Sequence, residues 1–124
     1  MFEEYYGPTI EAEREINSLL NIKACGKEQD WEIEFANPAM LDEMLAIFEE
    51  GGLGLETLSA LALLIVSSLE EADERNILRT EHVQSAMEAI ARVDEVRNRM
   101  KYYWLDLDRA NNKSLVRRIV SSIS

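Results

Sequence analysis

The stretch from residue 55 to residue 74, LETLSALALLIVSSLEEADE, decides how this chain folds. Apolar side chains at Leu58, Leu61, Leu64, Ile65, Val66 and Leu69 leave nearly every side of a helix drawn through it greasy, and such a helix is stable only when others surround it. At 1.5 Å per residue it is about 30 Å long. Its richest apolar run, Leu58 to Leu69, is about twelve residues and includes Ser59, Ser67 and Ser68, well short of a bilayer span. The pattern predicts an all-α single domain over residues 1–124, a bundle of about five helices around a buried 55–74 helix.

Flanking patterns supply the other elements. Gly7-Pro8-Thr9 starts a helix, with proline in its first turn, and Ile16, Leu19, Leu20 and Ala24 form its buried stripe before Gly26 ends it, so helix one is expected over 8–24. Trp31, Ile33 and Phe35 alternate with Glu32 and Glu34, the period of a strand with one wet face. A lone strand has no partner here, so 27–37 is expected as an extended segment lying across the helices. Asn37-Pro38 caps a helix over 38–50 with Met40, Leu41, Met44, Leu45 and Phe48 inside, stopped by Gly51-Gly52. Thr80 is expected to cap a helix in which Val83, Met87, Ile90, Val93, Val96, Met100, Tyr103 and Leu107 keep one stripe for about seven turns. Asn111-Asn112 breaks that pattern, and Leu115, Val116, Ile119, Val120 and Ile123 make a last short helix.

Charge is distributed unevenly. Residues 1–96 hold 22 acidic and 6 basic side chains, a net of −16, whereas residues 97–124 hold 2 acidic and 7 basic, a net of +5. The total of −11 comes with 47% apolar residues in periodic order, so acidity does not mark the chain as disordered. Met1 to Tyr6 contains Glu3 and Glu4 and no basic side chain, unlike a secretory or transit leader, and a cytoplasmic protein is expected. Cys25 is the single cysteine, so neither an internal disulfide nor a cysteine zinc cage is available.

Catalytic patterns fall short. His82, the single histidine, sits in the first turn of its helix with no local Ser or Cys placed as a nucleophile. Cys25 reads as a small buried or half-buried residue. Asp106 and Asp108 begin a calcium-like loop, but Ala110, Asn111 and Arg117 stand where the ligand oxygen, glycine and glutamate belong. Gly51-Gly52-Leu53-Gly54 follows a helix, not a strand, and reads as a turn instead of a phosphate cradle. No cofactor, metal or catalytic residue is assigned, and the chain is read as a non-enzyme.

Two charge features remain. Arg97, Arg99, Lys101, Tyr102, Tyr103 and Trp104, extended by Arg117-Arg118, interleave basic and aromatic side chains as single-strand binders do. Against nucleic acid stand the acidic body and the dipole preference for cations late in a helix. Acidic clusters at Glu32 and Glu34, Asp42 and Glu43, Glu49-Glu50, and Glu70-Glu71 with Asp73-Glu74 keep the protein soluble or match a basic partner. Glu49, Glu50, Glu70, Glu71, Asp73 and Glu74 are the candidate partner-binding residues.

Two resemblances bear on function. Trp31-Glu32-Ile33-Glu34-Phe35-Ala36-Asn37-Pro38, then Leu41-x-x-Met44-Leu45-x-x-Phe48, then the Leu-Ala-rich helix ending Val66-Ser67-Ser68, over residues 30–68, resembles small acidic helical immunity proteins of bacterial polymorphic and contact-dependent toxin systems. That resemblance implies binding to a cognate toxin domain, often a nuclease, through residues that differ between pairs. Residues 65–90, with Leu78-Arg79-Thr80-Glu81-His82-Val83 and Ala86, are similar to the second loop and third helix of histone-fold transcription factors. The expectation is an acidic inhibitor that occludes the active or substrate-binding surface of a basic toxin. The alternative is a helical, histone-fold-like dimeric regulator that contacts nucleic acid through its basic C-terminal region.

Overall fold

Helix α4 (Leu55–Glu74) forms over the whole marked stretch, and every residue from Ser59 to Leu69 is buried. Around it stand α1 (Ile10–Leu19), α2 (Trp31–Glu34), α3 (Leu41–Glu50), α5 (Thr80–Ala91), α6 (Asp94–Met100) and α7 (Ser114–Ile123), and α4 packs against each of them. A 3₁₀ turn at Pro38–Met40 leads into α3, and a π-helical turn at Lys101–Asp106 prolongs α6. The computed structural model describes residues 4–24, 30–110 and 113–123. Among them there is no strand, and no helix is long and apolar enough to cross a membrane.

The all-α bundle around 55–74 is thus as expected, with seven α-helices among the described residues in place of about five. Helix one is shorter than 8–24 because Thr9, not Pro8, begins it, its hydroxyl accepting from the Ala12 N–H at 3.1 Å. It stops at Asn21, which adopts φ 56° while the Ile22 N–H returns to the Asn17 carbonyl at 2.7 Å. That left-handed closure satisfies the last carbonyls, and asparagine tolerates it better than most residues. Asn76 closes α4 in the same way, with φ 58° and Ile77 returning to Ala72. At the end of α3 the left-handed turn falls to Gly51 (φ 84°) and Gly52 (φ 89°).

The extended segment expected over 27–37 is corrected by the structure. Residues 31–34 are one turn of helix, and the alternation is inverted in part: Glu32 is 3% exposed and Ile33 is 48% exposed. In a helix residues 31 and 32 project about 100° apart instead of to opposite faces as in a strand, and Trp31 and Glu32 both turn inward. Trp31 Nε1 donates to Asn17 Oδ1 at 2.9 Å, and the Tyr103 hydroxyl donates to Glu32 Oε2, so neither polar group is left unpaired.

The seven-turn fourth helix is also corrected. It breaks at Arg92-Val93, where Val93 is extended (φ −111°, ψ 99°) and α6 starts afresh with Asp94 and Glu95 in its first turn. Thr80 is the first helical residue, not a cap: Arg79 holds the cap position with no side-chain capping bond. The break lets α5 pack on α3 and α7 while α6 turns back onto α4. The π-turn then adds a residue per turn, and Tyr102, Tyr103 and Trp104 are all buried in succession. Asn111-Asn112, Cys25 and Gly26 lie outside the described residues.

Leu64 and Leu19 both sat on expected buried stripes, but the first is 0% and the second 45% exposed. Leu64→Ala is expected to cost about 2–5 kcal/mol in urea unfolding, and Leu19→Ala within roughly 0.5 kcal/mol of nothing.

Candidate partner-binding cleft

A helix enclosed on all sides can keep a polar side chain only where a neighbour meets it. Buried within α4 are the hydroxyls of Thr57, Ser59, Ser67 and Ser68. Thr57 donates to Glu15 Oε1 at 2.6 Å, and Ser59 accepts from Arg99 at 3.4 Å. Ser68 accepts from the Asn37 backbone N–H at 2.9 Å and lies 3.7 Å from Met44 Sδ. Ser67 Oγ has no partner among the described residues.

Two further buried polar atoms without a partner belong to residues beside it, Glu70 Oε2 and Trp104 Nε1, and all three residues line one cleft of about 60 Å³. Ile33 from α2, Ala36 just after it, Glu71 and Glu74 from α4, Lys113 just before α7 and Val116 in its first turn complete its walls. Ser67, Glu70, Glu71 and Glu74 recur at three and four, so they project from one face of α4. Trp104 reaches the cleft because the π-turn rotates it inward, and the Lys113 ammonium lies 5.8 Å from the centre of its ring.

The Glu70 carboxyl is held above the ordinary carboxylate range, first by desolvation and then by Glu74 and Asp73; Lys113 and a hydrogen bond from the Val116 N–H oppose the shift. Val116 is in the first turn of α7, where backbone N–H groups lack intrahelical acceptors. Glu71 shares its charge with Arg75 at 2.6 Å one turn further on, while Glu74 is exposed. The cleft therefore combines an acidic wall, an exposed apolar residue in Ile33 and three polar atoms lacking a partner.

The structure divides the candidate residues. Met44 lies against Ser68, whereas Glu49 and Leu58 line a common hollow, so α3 and α4 run antiparallel. Glu49 and Glu50 consequently sit near the start of α4, about 18 Å along its axis from Glu70 at 1.5 Å per residue. Glu70, Glu71 and Glu74 belong to the cleft; Asp73 is exposed and does not line it. The six residues therefore fall into two groups about 18 Å apart along α4.

Several cations of the basic region at 97–118 are engaged within the fold, while Lys101 and Arg118 are exposed. Arg97 donates to the Ala91 carbonyl and pairs with Asp94, each at 3.1 Å. Arg99 pairs with Glu56 at 2.9 Å and lies over the Tyr5 ring, and Arg109 lies over Tyr103. Arg117 pairs with Asp108. Tyr102, Tyr103 and Trp104, which interleave with these cations along the chain, are interior. His82 Nε2 lies 2.7 Å from Asp42 Oδ1, joining α5 to α3 beside a hollow of about 340 Å³. Among the described residues lining that hollow there is no Ser, Thr or Cys.

Sequence reasoning missed Ser67, Trp104, Lys113 and Ile33 as parts of this cleft. One signal was present: Ser67 interrupts an apolar run three residues before Glu70. No family model, curated sequence or solved structure matches this chain.

The sign of the Glu70 effect follows from its raised value. The folded state holds that proton more tightly than the unfolded chain, so this group's contribution favours folding below the ordinary carboxylate range and is lost as pH rises through the raised one. Glu70→Gln removes the contribution. Urea titrations from pH 4 to pH 7 are expected to show the variant gaining stability relative to the parent protein as pH rises; a pH-independent difference would contradict the assignment.

Proposed function

We propose that this protein is a binding protein that captures a basic partner protein through the acidic end of α4, most concretely an immunity protein that neutralises a basic toxin, a nuclease for preference, by occluding its active or substrate-binding surface. The observation that carries the reading is the division of charge. Arg97, Arg99 and Arg117 are spent on the fold's own carboxylates, whereas Glu70 and Glu74 stand at a cleft with Ile33 exposed beside them. A polar rim around an apolar anchor suits protein recognition, and a net charge of −11 steers a cationic protein inward.

The mechanism is steric and electrostatic. Carboxylates on the toxin's phosphate-binding surface compete with its substrate, and apolar contact around Ile33 supplies affinity at the centre. The regulator alternative fares less well. Its basic and aromatic tail would have to stack bases, but Tyr102, Tyr103 and Trp104 are inside and the neighbouring arginines are engaged.

The product of the adjacent gene is the partner to test. Glu74→Lys and Glu50→Lys change net charge equally at opposite ends of α4, so any difference between them reports position. Glu74→Lys is expected to slow association about tenfold at low salt, Glu50→Lys by less than about threefold, with both effects shrinking as salt is added. Equal effects, or a rate indifferent to salt, would count against the cleft as the interface.

A further inference from the structure

The hollow of about 340 Å³ beside His82 opens where the end of α4 meets the starts of α3 and α5. Small-ligand sites occupy about 300–1,000 Å³, and this one lies within that range. Asn76 closes α4 with φ 58°, and the Ile77 N–H returns to the Ala72 carbonyl at 2.9 Å, so the chain folds back on itself there. Ala72, Arg75, Ile77 and Arg79 consequently border one space, together with Leu41, Asp42 and His82. None of these residues lines the cleft at Ser67.

The lining has an apolar part and a cationic part. Leu41, Ala72 and Ile77 supply the first, and Ile77 is 55% exposed. Arg75 and Arg79 supply the second, and both are reachable, with side chains 58% and 59% exposed. A guanidinium carries donors on three nitrogens. Arg75 spends its Nε on Glu71 and Arg79 one Nη on Glu81, so among the described residues each keeps donors on two further nitrogens. Asp42 is the one carboxylate among the described lining residues, and its Oδ1 accepts from His82 Nε2 at 2.7 Å. Two arginines against one aspartate leave this lining a surplus of positive charge in a protein whose net charge is −11.

These features select the ligand. A cation is repelled by Arg75 and Arg79. A neutral apolar molecule would strip water from the guanidiniums without giving them acceptors, which costs free energy. A phosphate dianion brings more charge than the surplus matches, close to Glu71 and Glu81, which already hold the same arginines. A monocarboxylate matches the surplus, and its two oxygens suit the paired N–H groups along an edge of a guanidinium. We infer that the hollow between α3, α4 and α5 binds a small organic monocarboxylate, its charge at Arg75 and Arg79 and its apolar body against Leu41, Ala72 and Ile77. The site goes beyond the binding-protein reading and stands whether or not a basic protein is the partner.

His82 is the single histidine, so its ring signals in NMR of the full chain, held at pH 7, report on this hollow alone. Benzoate is expected to shift them saturably, in about the millimolar range for so small a probe, and to leave the Trp31 indole signal in place. Benzamide keeps the shape without the charge, whereas acetate and inorganic phosphate keep charge without the apolar body. Each is expected to bind at least about threefold more weakly than benzoate, and benzylammonium to give no saturable shift. The double variant Arg75→Gln, Arg79→Gln is expected to weaken benzoate about tenfold. Arg92→Gln with Arg118→Gln changes net charge equally at arginines outside the hollow, and is expected to leave benzoate within about twofold of the parent protein. Unchanged Trp31 and Trp104 signals report that both variants are folded, and the ligand series on the parent protein decides the matter without them. No saturation with benzoate, an equal response to benzamide, acetate or phosphate, or an equal loss in the two double variants overturns the site. Binding of benzoate with no basic protein captured upholds it and counts only against the partner reading.

Discussion

Complete enclosure of one helix is the constraint from which the rest of this structure follows. With every residue from Ser59 to Leu69 out of water, α4 gains the full hydrophobic contribution of its leucines, roughly 1.5–3 kcal/mol for each large side chain buried. The enclosure also obliges each polar group on α4 to find a partner in a neighbouring element. Glu15 from α1 meets Thr57, Arg99 from α6 meets Ser59, and the Asn37 backbone meets Ser68. These bonds fix the rotation of three surrounding segments around α4. Ser67 is the exception, and the exception marks the cleft.

The same enclosure explains the fate of the charges. Helices wrapped around a common core bring residues far apart in the chain to one surface, and Arg99 thereby reaches Glu56 across the α4–α6 contact. Three arginines of a tail that is basic in sequence, Arg97, Arg99 and Arg117, are matched in space by Asp94, Glu56 and Asp108. The acidic end of α4 has Arg75 for Glu71 and Lys113 near Glu70, while Glu74 remains exposed. These pairings leave the net charge of −11 unchanged.

Legibility in the sequence depended on how many neighbours an element has. The span of α4 could be read to the residue because an all-round apolar pattern needs no knowledge of which helix covers which side. The inward face of α2 could not, since Trp31-Glu32-Ile33-Glu34 fits a strand by alternation and a helical turn by burial, and only the Tyr103 hydroxyl that meets Glu32 makes a buried carboxylate acceptable there. The break at Arg92-Val93 left one faint trace, the acidic pair Asp94-Glu95 that suits a helix start. No proline or glycine marks it, because its cause is the packing of α5 and α6 on different neighbours. For the site, the acidic wall was legible as a cluster, but its split from Glu49 and Glu50 was not.

The sequence by itself determined that this is an all-helical domain built around residues 55–74, with an acidic body, because hydrophobic periodicity and charge are local properties of the chain. Tertiary structure alone decided that Arg99 of the basic tail meets Glu56, that Glu32 is buried while Ile33 is exposed, and that Ser67, Glu70 and Trp104 share one cleft. Each of these depends on which groups from distant segments meet in a dry interior, where an unmatched polar atom costs about 1–3 kcal/mol, and no pattern along the chain encodes that meeting.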